Sequence, residues 1–412
     1  MAKFYGWRIV GAAFVLAFFG WGLGFYGPPV YLHAVREARG FSLATVSAAV
    51  TVHYLAGALV AANVPALYRR FGLPAVTIAA AILLSAGVAG WAIAATPLQL
   101  FAATVVSGAG WAAMGAVPVN AAVSPWFARG RPAALGTAYN GASFAGLIFS
   151  PLWVALISLL GFPAAAAIIG AVTIVAVAVL AVRYFARTPG EMGLEPDGDA
   201  VGATNNVTAP HARPLPGGAL WRDFTFITLA AGAALSLFAQ IGLITHLYSL
   251  LVAPLGAGWA GLTMGIGTGA GMGGRMLVAW LMPAGADRRL VACMSYAVQI
   301  VGTLLLIVAA GENIPLLLAG VLLFGVGIGN VTSMPPLIVQ VEFVKDDVPR
   351  VVALVVAIGQ ATYAFAPAAF GFIREFAGAG ALYGAAGLVY LAAIAVLLIG
   401  RYRSTKSARA YP

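Results

Sequence analysis

Gly265-Ile266-Gly267-Thr268-Gly269-Ala270-Gly271-Met272-Gly273-Gly274-Arg275-Met276-Leu277-Val278-Ala279-Trp280-Leu281 holds one charged residue in seventeen. An apolar run of this kind reads as part of a membrane-spanning helix. A cation near the middle of such a helix costs roughly 2.5–3.5 kcal/mol on insertion scales. A chain that keeps Arg275 there is expected to aim it at a water-filled cavity, where it would anchor an anionic substrate. The alternative is that Arg275 snorkels to the headgroups. Asp287, the first acidic residue of the next loop, lies twelve residues on. That is roughly 18 Å of helix at about 1.5 Å per residue, a long reach.

The rest of the chain has the same character. Its 412 residues are 62% hydrophobic and 8% charged, with a mean hydropathy of +0.97. Soluble globular domains do not have this composition. The apolar residues run continuously instead of alternating, which argues against a membrane β-barrel. The class is a polytopic, all-α membrane protein. The single cysteine, Cys293, excludes a disulfide framework or a thiolate metal site within one chain. The first apolar stretch, Ile9 to Leu32, is longer than the core of a cleaved signal peptide, and no small-residue cleavage site follows.

Hydropathy predicts twelve spans, at 7–32, 43–67, 73–94, 97–123, 132–156, 161–184, 224–252, 258–282, 289–310, 313–338, 350–373 and 378–401. The net charge of +10 is not a nucleic-acid surface. Arg69, Arg70, Arg129, Arg131, Arg183, Arg187, Arg288, Arg289, Arg350 and Arg401, with the terminal and linker cations, occupy the ends and alternate loops. The opposite loops hold only Arg36, Arg39 and Arg374. By the positive-inside rule both termini are cytoplasmic, and the expected location is the cytoplasmic (inner) membrane. Residues 185–222 are polar and rich in Pro, Ala and Asn, a linker between six spans and six. The expected domains are therefore 1–184, a linker 185–222, and 223–412.

The halves repeat each other at an offset of about 217 residues. Leu67-Tyr68-Arg69-Arg70-Phe71-Gly72 follows span two, and Asp287-Arg288-Arg289 follows span eight. Arg129-Gly130-Arg131-Pro132-Ala133 opens span five, and Asp347-Val348-Pro349-Arg350-Val351 opens span eleven. Two pseudo-symmetric six-helix bundles are a transporter signature. Arg69, Arg70, Arg131, Asp287 and Arg288, at the cytoplasmic helix ends, are candidates for conformational gating.

Several motifs carry a family likeness. They are Tyr5-Gly6-Trp7-Arg8-Ile9-Val10 opening span one, Arg70-Phe71-Gly72 after span two, and Trp126-Phe127 before Arg129-Gly130-Arg131. To these add Arg187-Thr188-Pro189-Gly190-Glu191-Met192-Gly193-Leu194-Glu195-Pro196-Asp197-Gly198 after span six and Gly274-Arg275 in span eight. Along its whole length the chain resembles the major facilitator superfamily, in its monocarboxylate transporter and oxalate:formate antiporter branch. The resemblance implies alternating access and a membrane-embedded arginine that binds carboxylate, by position Arg275. There are departures. The superfamily's Asp after span two is replaced by Arg69. The Asp that related carriers have one turn before the span-eight arginine is Gly271. Their span-one Lys falls near Pro28-Pro29, and the second cation of the oxalate antiporter falls near Gln360 and Tyr363. One embedded cation favours a monocarboxylate over a dicarboxylate.

Every Asp and Glu is expected in a loop, in the linker or at a helix end. Glu342, beside Lys345 and Asp346, comes closest to a span interior. The chain thus offers no embedded carboxylate for protons and no acidic cluster for Mg²⁺, which argues against a membrane enzyme. Among histidines, His53 falls one turn from Gly57, the pseudo-equivalent of Arg275, so symmetry places it on the cavity face. Its structural alternative is a histidine bonded between packed helices. His246 matches the region of Pro29, with a helix-end bond to backbone as its alternative. Tyr26, Asn120, Tyr139, Asn140, Asn330, Gln360 and Tyr363 are further candidate substrate contacts. Asn140 with Ser143, and Gln360 with Tyr363, share helix faces. For each of these, interhelical hydrogen bonding is the competing role.

The expected function is a secondary active transporter of a small organic anion, with the lipid bilayer and the substrate as partners and protons as a possible coupling ion. Exchange and facilitated diffusion stay open. A monomer is expected, without cofactor, metal or nucleic acid. The rival readings are an exporter of amphipathic drugs, which would not require Arg275, and a non-transporting sensor of the same fold.

Overall fold

The computed structural model describes residues 4–198, 220–283, 285–344 and 347–409. Among these there is no β-strand. In bilayer hydrocarbon every backbone N–H and C=O must be satisfied within the protein, and helices do this within one segment. The long helices are α1 (Gly6–Gly24), α2 (Pro28–Arg39), α3 (Leu43–Ala61), α4 (Val64–Ile93), α5 (Pro97–Ala112), α6 (Ala116–Val123), α7 (Arg131–Leu160) and α8 (Phe162–Leu180). After the linker come α9 (Phe224–Leu255), α10 (Ala257–Leu281), α11 (Arg288–Ala309), α12 (Ile314–Glu342), α13 (Val348–Tyr363) and α14 (Ala366–Arg409).

Among the described residues, ten segments are long and apolar enough to cross a membrane. The Gly-rich α10, which carries Arg275, is not among them, and the last segment, Arg350–Tyr402, contains two legs. Those legs meet at Gly378, where φ is 85° and ψ is 179°. Gly161, between α7 and α8, has φ 80° and ψ 159°. This region of backbone space is open essentially to glycine alone, so each glycine joins two helices with a single residue. The two joints lie one repeat offset apart, about 217 residues, which matches the internal symmetry of the sequence.

Four predicted spans are interrupted. The first breaks at 25–27, ahead of Pro28-Pro29, the fourth at 113–115 and the eleventh at 364–365. The second stops at Ala61, because Asn63 and Pro65 start a new helix. That helix continues through Arg69, Arg70 and Phe71 and bends at Gly72, where φ is 80°. The expected loop 67–72 is thus largely helical. The ninth begins at Arg288, capped by Asp287, whose side chain accepts from the Arg289 and Leu290 amides.

The chain divides into two compact units. Unit 1 comprises Met1–Asn205 with Ala257–Gly265, and unit 2 comprises Asn206–Gly256 with Ile266–Pro412. In unit 1, α1 packs on α7, and α4 on α5 and α8. In unit 2, α9 packs on α13 and α14, and α11 on α12 and α14. Ile168, Val172, Val175 and Val179 form an exposed apolar stripe at helical spacing on α8, continued by Val182 just beyond it. Water would oppose such a stripe; lipid accommodates it.

Candidate functional site

The glycines of α10 make a close helix contact. A Cβ on Gly271 would lie 3.1 Å from the Gly329 amide nitrogen, and one on Gly325 would lie 3.0 Å from Gly267 Cα. Residues without side chains let the backbones of α10 and α12 touch. The contact sets Arg275. Its Nε donates to Gly329 O at 3.3 Å and its Nη2 to Thr332 Oγ1 at 3.4 Å. Asn330 answers from α12, its Nδ2 donating to Gly274 O at 3.5 Å. Arg275 and Asn330, both expected at the site, are therefore held on one helix pair. The backbone carbonyl and the hydroxyl orient the guanidinium. Asn330 Oδ1 is buried and has no hydrogen-bond partner among the described residues.

Unit 1 brings a second group together at the breaks in the first and fourth spans. Asn120 Nδ2 donates to Tyr139 Oη at 2.5 Å and to Ala116 O at 2.9 Å. The Tyr139 hydroxyl donates to Ala116 O at 3.3 Å. Trp21 stands edge-on to both Trp111 and Tyr139, with ring centroids 5.1 and 6.1 Å apart. Trp21, Trp111, Asn120, Tyr139 and Asn140 are all half-buried. Tyr26 is buried, its ring 5.0 Å from that of Phe25. The two tryptophans were not among the sequence candidates, because hydropathy does not separate a cavity aromatic from a packed one.

His53 has the bonds of its structural alternative, a histidine held between packed helices. It is 1% exposed. Its Nε2 donates to Gly24 O at 2.9 Å, and its Nδ1 pairs with Ser107 Oγ at 2.8 Å. The same hydroxyl accepts from Trp91 Nε1 at 3.0 Å. The carbonyl left bare where α1 ends needs a donor, and His53 supplies it. Both ring nitrogens are thereby committed to holding α1, α3 and α5 together. His246 takes its alternative in part. It is fully buried, with Nε2 donating to Pro367 O at 3.2 Å. One turn away, Arg374 Nη1 donates to Ser249 Oγ at 2.5 Å, so a residue read as an outer loop charge pins α14 to α9. Gln360 and Tyr363 sit half-buried one turn apart on α13.

The largest correction lies at the charged end of unit 2. Arg289, read as a loop charge, is 1% exposed. Its Nε and Nη2 grip the two oxygens of Glu342 at 2.6 and 2.7 Å. Its remaining donors reach Thr228 Oγ1 at 3.1 Å, Thr225 O at 3.0 Å and Leu397 O at 3.4 Å. One side chain thus ties α9, α11, α12 and α14. Glu342, at the end of α12, is the counter-ion of this buried cation. Lys345 and Asp346, read as its neighbours, lie outside the described residues. Asp287 pairs with Arg401 Nε at 2.5 Å, and Arg288 Nη1 donates to Leu337 O at 2.5 Å. Partial burial opposes the charge on Asp287. The Arg401 hydrogen bond and charge and the Leu290 and Arg289 amides outweigh it, holding the carboxyl below its usual range.

In unit 1 the counterparts differ. Arg131 bonds the carbonyls of Phe127 and Ser124 at 2.9 and 3.3 Å, closing the turn before α7. Asp197, in the head of the linker, accepts from the amides of Ala128, Arg129 and Gly130 at 3.1, 2.7 and 3.1 Å. These are donors at the start of α7, a site for negative charge. Desolvation opposes the charge on Asp197, but the three amides and the nearby Arg129 guanidinium prevail and lower its pKa. Arg69 and Arg70 are exposed.

A bundle of long apolar helices, internally repeated, broken at glycines and prolines and carrying a part-buried arginine, defines a polytopic membrane transporter. The family comparison agrees: residues 10–343 match the Major Facilitator Superfamily, and the chain belongs to that family. This supports a carrier and not an enzyme. No curated protein matches by sequence. Among solved structures, the nucleoside transporter NupG, in a point-mutant form, has a TM-score of 0.70 at 11% identity, covering 96% of this chain and 98% of its own. A bacterial homolog of the human lysosomal transporter Spinster, inward-facing and occupied, has a TM-score of 0.65 at 13% identity, covering 100% and 98%. Its unoccupied form gives 0.65 at 14%, covering 97% and 96%. At these identities the likeness is one of fold.

Proposed function

We propose that this protein is a secondary active transporter that moves a small organic anion, a monocarboxylate, across the cytoplasmic membrane by alternating access. Arg275 carries the reading. It is a guanidinium in an otherwise apolar span, oriented by a backbone carbonyl and a hydroxyl. A carboxylate is the ligand whose two oxygens match a planar fork of N–H donors. Asn120, Tyr139 and Asn140 are proposed as polar substrate contacts, with Tyr26, Asn330, Gln360, Tyr363 and His246 as further candidates. Arg69, Arg70, Arg131, Asp287 and Arg288 are proposed to govern the conformational change. The chain is read as a monomer with both termini in the cytoplasm.

Two experiments test this. A thermal-shift screen of the purified protein against carboxylates should find a ligand that raises the unfolding midpoint, since binding to the folded state alone stabilises it. Uptake of that ligand into proteoliposomes should vanish in Arg275→Ala with insertion and folding intact. Transport that survives Arg275→Ala would remove the carboxylate reading and leave the exporter of amphipathic compounds, for which the aromatic cluster around Trp21 and Trp111 would be the relevant surface. Substrate-induced proton uptake in the same vesicles separates symport from exchange or facilitated diffusion.

A further inference from the structure

The charged ends of the two units are built unequally. In unit 2 two of the arginines at the charged helix ends have carboxylates, Arg289 with Glu342 and Arg401 with Asp287, while Arg288 bonds the Leu337 carbonyl. In unit 1 the sequence holds no Asp or Glu from 38 to 190. Arg69 and Arg70 end the first segment of α4, just before the bend at Gly72, and neither forms an ion pair among the described residues. Arg70 lies over the Phe71 ring, 5.1 Å from its centroid. The two positive charges are therefore exposed and unbalanced among the described residues.

Beside them is a groove of about 390 Å³, lined by apolar side chains that include Val60, Leu67, Phe71, Val76, Ala79 and Leu83. Alanines on α4 and on the facing α5 keep it open. It is continuous with exposed apolar surface: Leu59 is 73%, Phe71 55% and Leu83 42% exposed. An aqueous anion has no reason to enter such a groove, and an uncharged apolar ligand has no use for the arginines. A molecule with an acyl chain and an anionic head uses both. Basic residues at a membrane surface attract such lipids.

We propose that the groove between α3, α4 and α5 binds one anionic phospholipid, its acyl chain along Val76, Ala79 and Leu83 and its phosphate on Arg69 and Arg70. The lipid supplies to unit 1 the negative charge that Glu342 and Asp287 supply to unit 2. It fastens the segment Val64–Phe71, beyond the break at Asn63, to the body of the unit. The proposal rests on the membrane location of the chain and not on the identity of its substrate.

The test uses the full-length protein in nanodiscs of phosphatidylglycerol or phosphatidylcholine, and in detergent with glycerol phosphate as a soluble head group. Phosphatidylglycerol should raise the unfolding midpoint above that in phosphatidylcholine by roughly 5 °C. The paired change Arg69→Gln with Arg70→Gln, and separately Ala79→Trp, which fills the groove, should each abolish that difference. A phosphatidylglycerol with a photoreactive acyl chain should crosslink wild type within residues 59–83, a readout that does not depend on either variant folding. Equal midpoints in the two lipids, a difference that survives the arginine changes, or crosslinks confined to other segments would each overturn the proposal. So would a full shift from glycerol phosphate alone, which would mark a free-anion site without an acyl chain.

Discussion

Removing the carboxylate of Glu342 should unfold the protein several degrees early. In Glu342→Ala the Arg289 guanidinium, 1% exposed, keeps neutral contacts to Thr228, Thr225 and Leu397 and loses both of its short bonds to charge. Breaking a buried pair by deleting one partner costs about 3–5 kcal/mol. Glu342 is 18% exposed, so water reaches one side of the pair and the lower end, about 3 kcal/mol, is expected. At roughly 2–4 °C per kcal/mol for large domains, the midpoint falls by about 6–12 °C. The double change Arg289→Met with Glu342→Met removes both charges and restores apolar volume, so it should lose much less than Glu342→Ala. The assay is thermal unfolding of purified protein in detergent, run as a double-mutant cycle. Because Arg289 is shielded from solvent, the coupling should persist in high salt. A Glu342→Ala midpoint within about 1 °C of wild type, or strict additivity in the cycle, would refute the view that this pair holds unit 2 together.

Three other outcomes are expected. Arg275→Lys keeps the charge and loses the fork, so carboxylate binding should weaken by roughly ten- to a hundredfold, read from ligand-induced thermal shifts, while the ligand-free midpoint stays near wild type. His53→Ala should lower the unfolding midpoint, because Gly24 O and Ser107 lose their partner, yet leave the order of preferred substrates unchanged; a changed order in uptake assays would return His53 to the binding surface. Asp197 has a folded pKa below the ordinary value of 3.8, so its contribution is complete above that value and disappears only as pH falls through the lower folded one. Amide protection at Ala128, Arg129 and Gly130, followed by hydrogen exchange, should therefore be steady between about pH 5 and 8 and be lost in Asp197→Ala at any of these values; protection that survives the substitution would show that the linker head docks by other means.

Much of the site was partly legible. Arg275 stands out in sequence because a charge in an apolar run has a cost that composition reveals. Asn330 stands out as an embedded amide, but the pairing of Gly274-Arg275 with Gly329-Asn330 needs two helices in contact. Asn120 and Tyr139 each stand out for polarity; their hydrogen bond crosses from one helix to another and has no signature in spacing. His53 shows the opposite case. Pseudo-symmetry assigned it a face, but symmetry relates backbones, and the break at the end of α1 left a carbonyl for this side chain to satisfy.

The sequence by itself determined the all-helical membrane class, the two-fold repeat and the family. Those follow from hydropathy, charge placement and short motifs, which depend on neighbours along the chain. The Arg289–Glu342 pair was decided only by tertiary structure. From Arg289 to the end of α11 is 20 residues, and from the start of α12 to Glu342 is 28. As straight antiparallel helices these legs would differ by roughly 12 Å, which would place the two charges out of reach. Pro335 and Pro336 lie inside α12, where each removes a backbone hydrogen bond and favours a bend. The meeting of the two charges therefore depends on the path of the helices through space, which spacing along the chain does not encode.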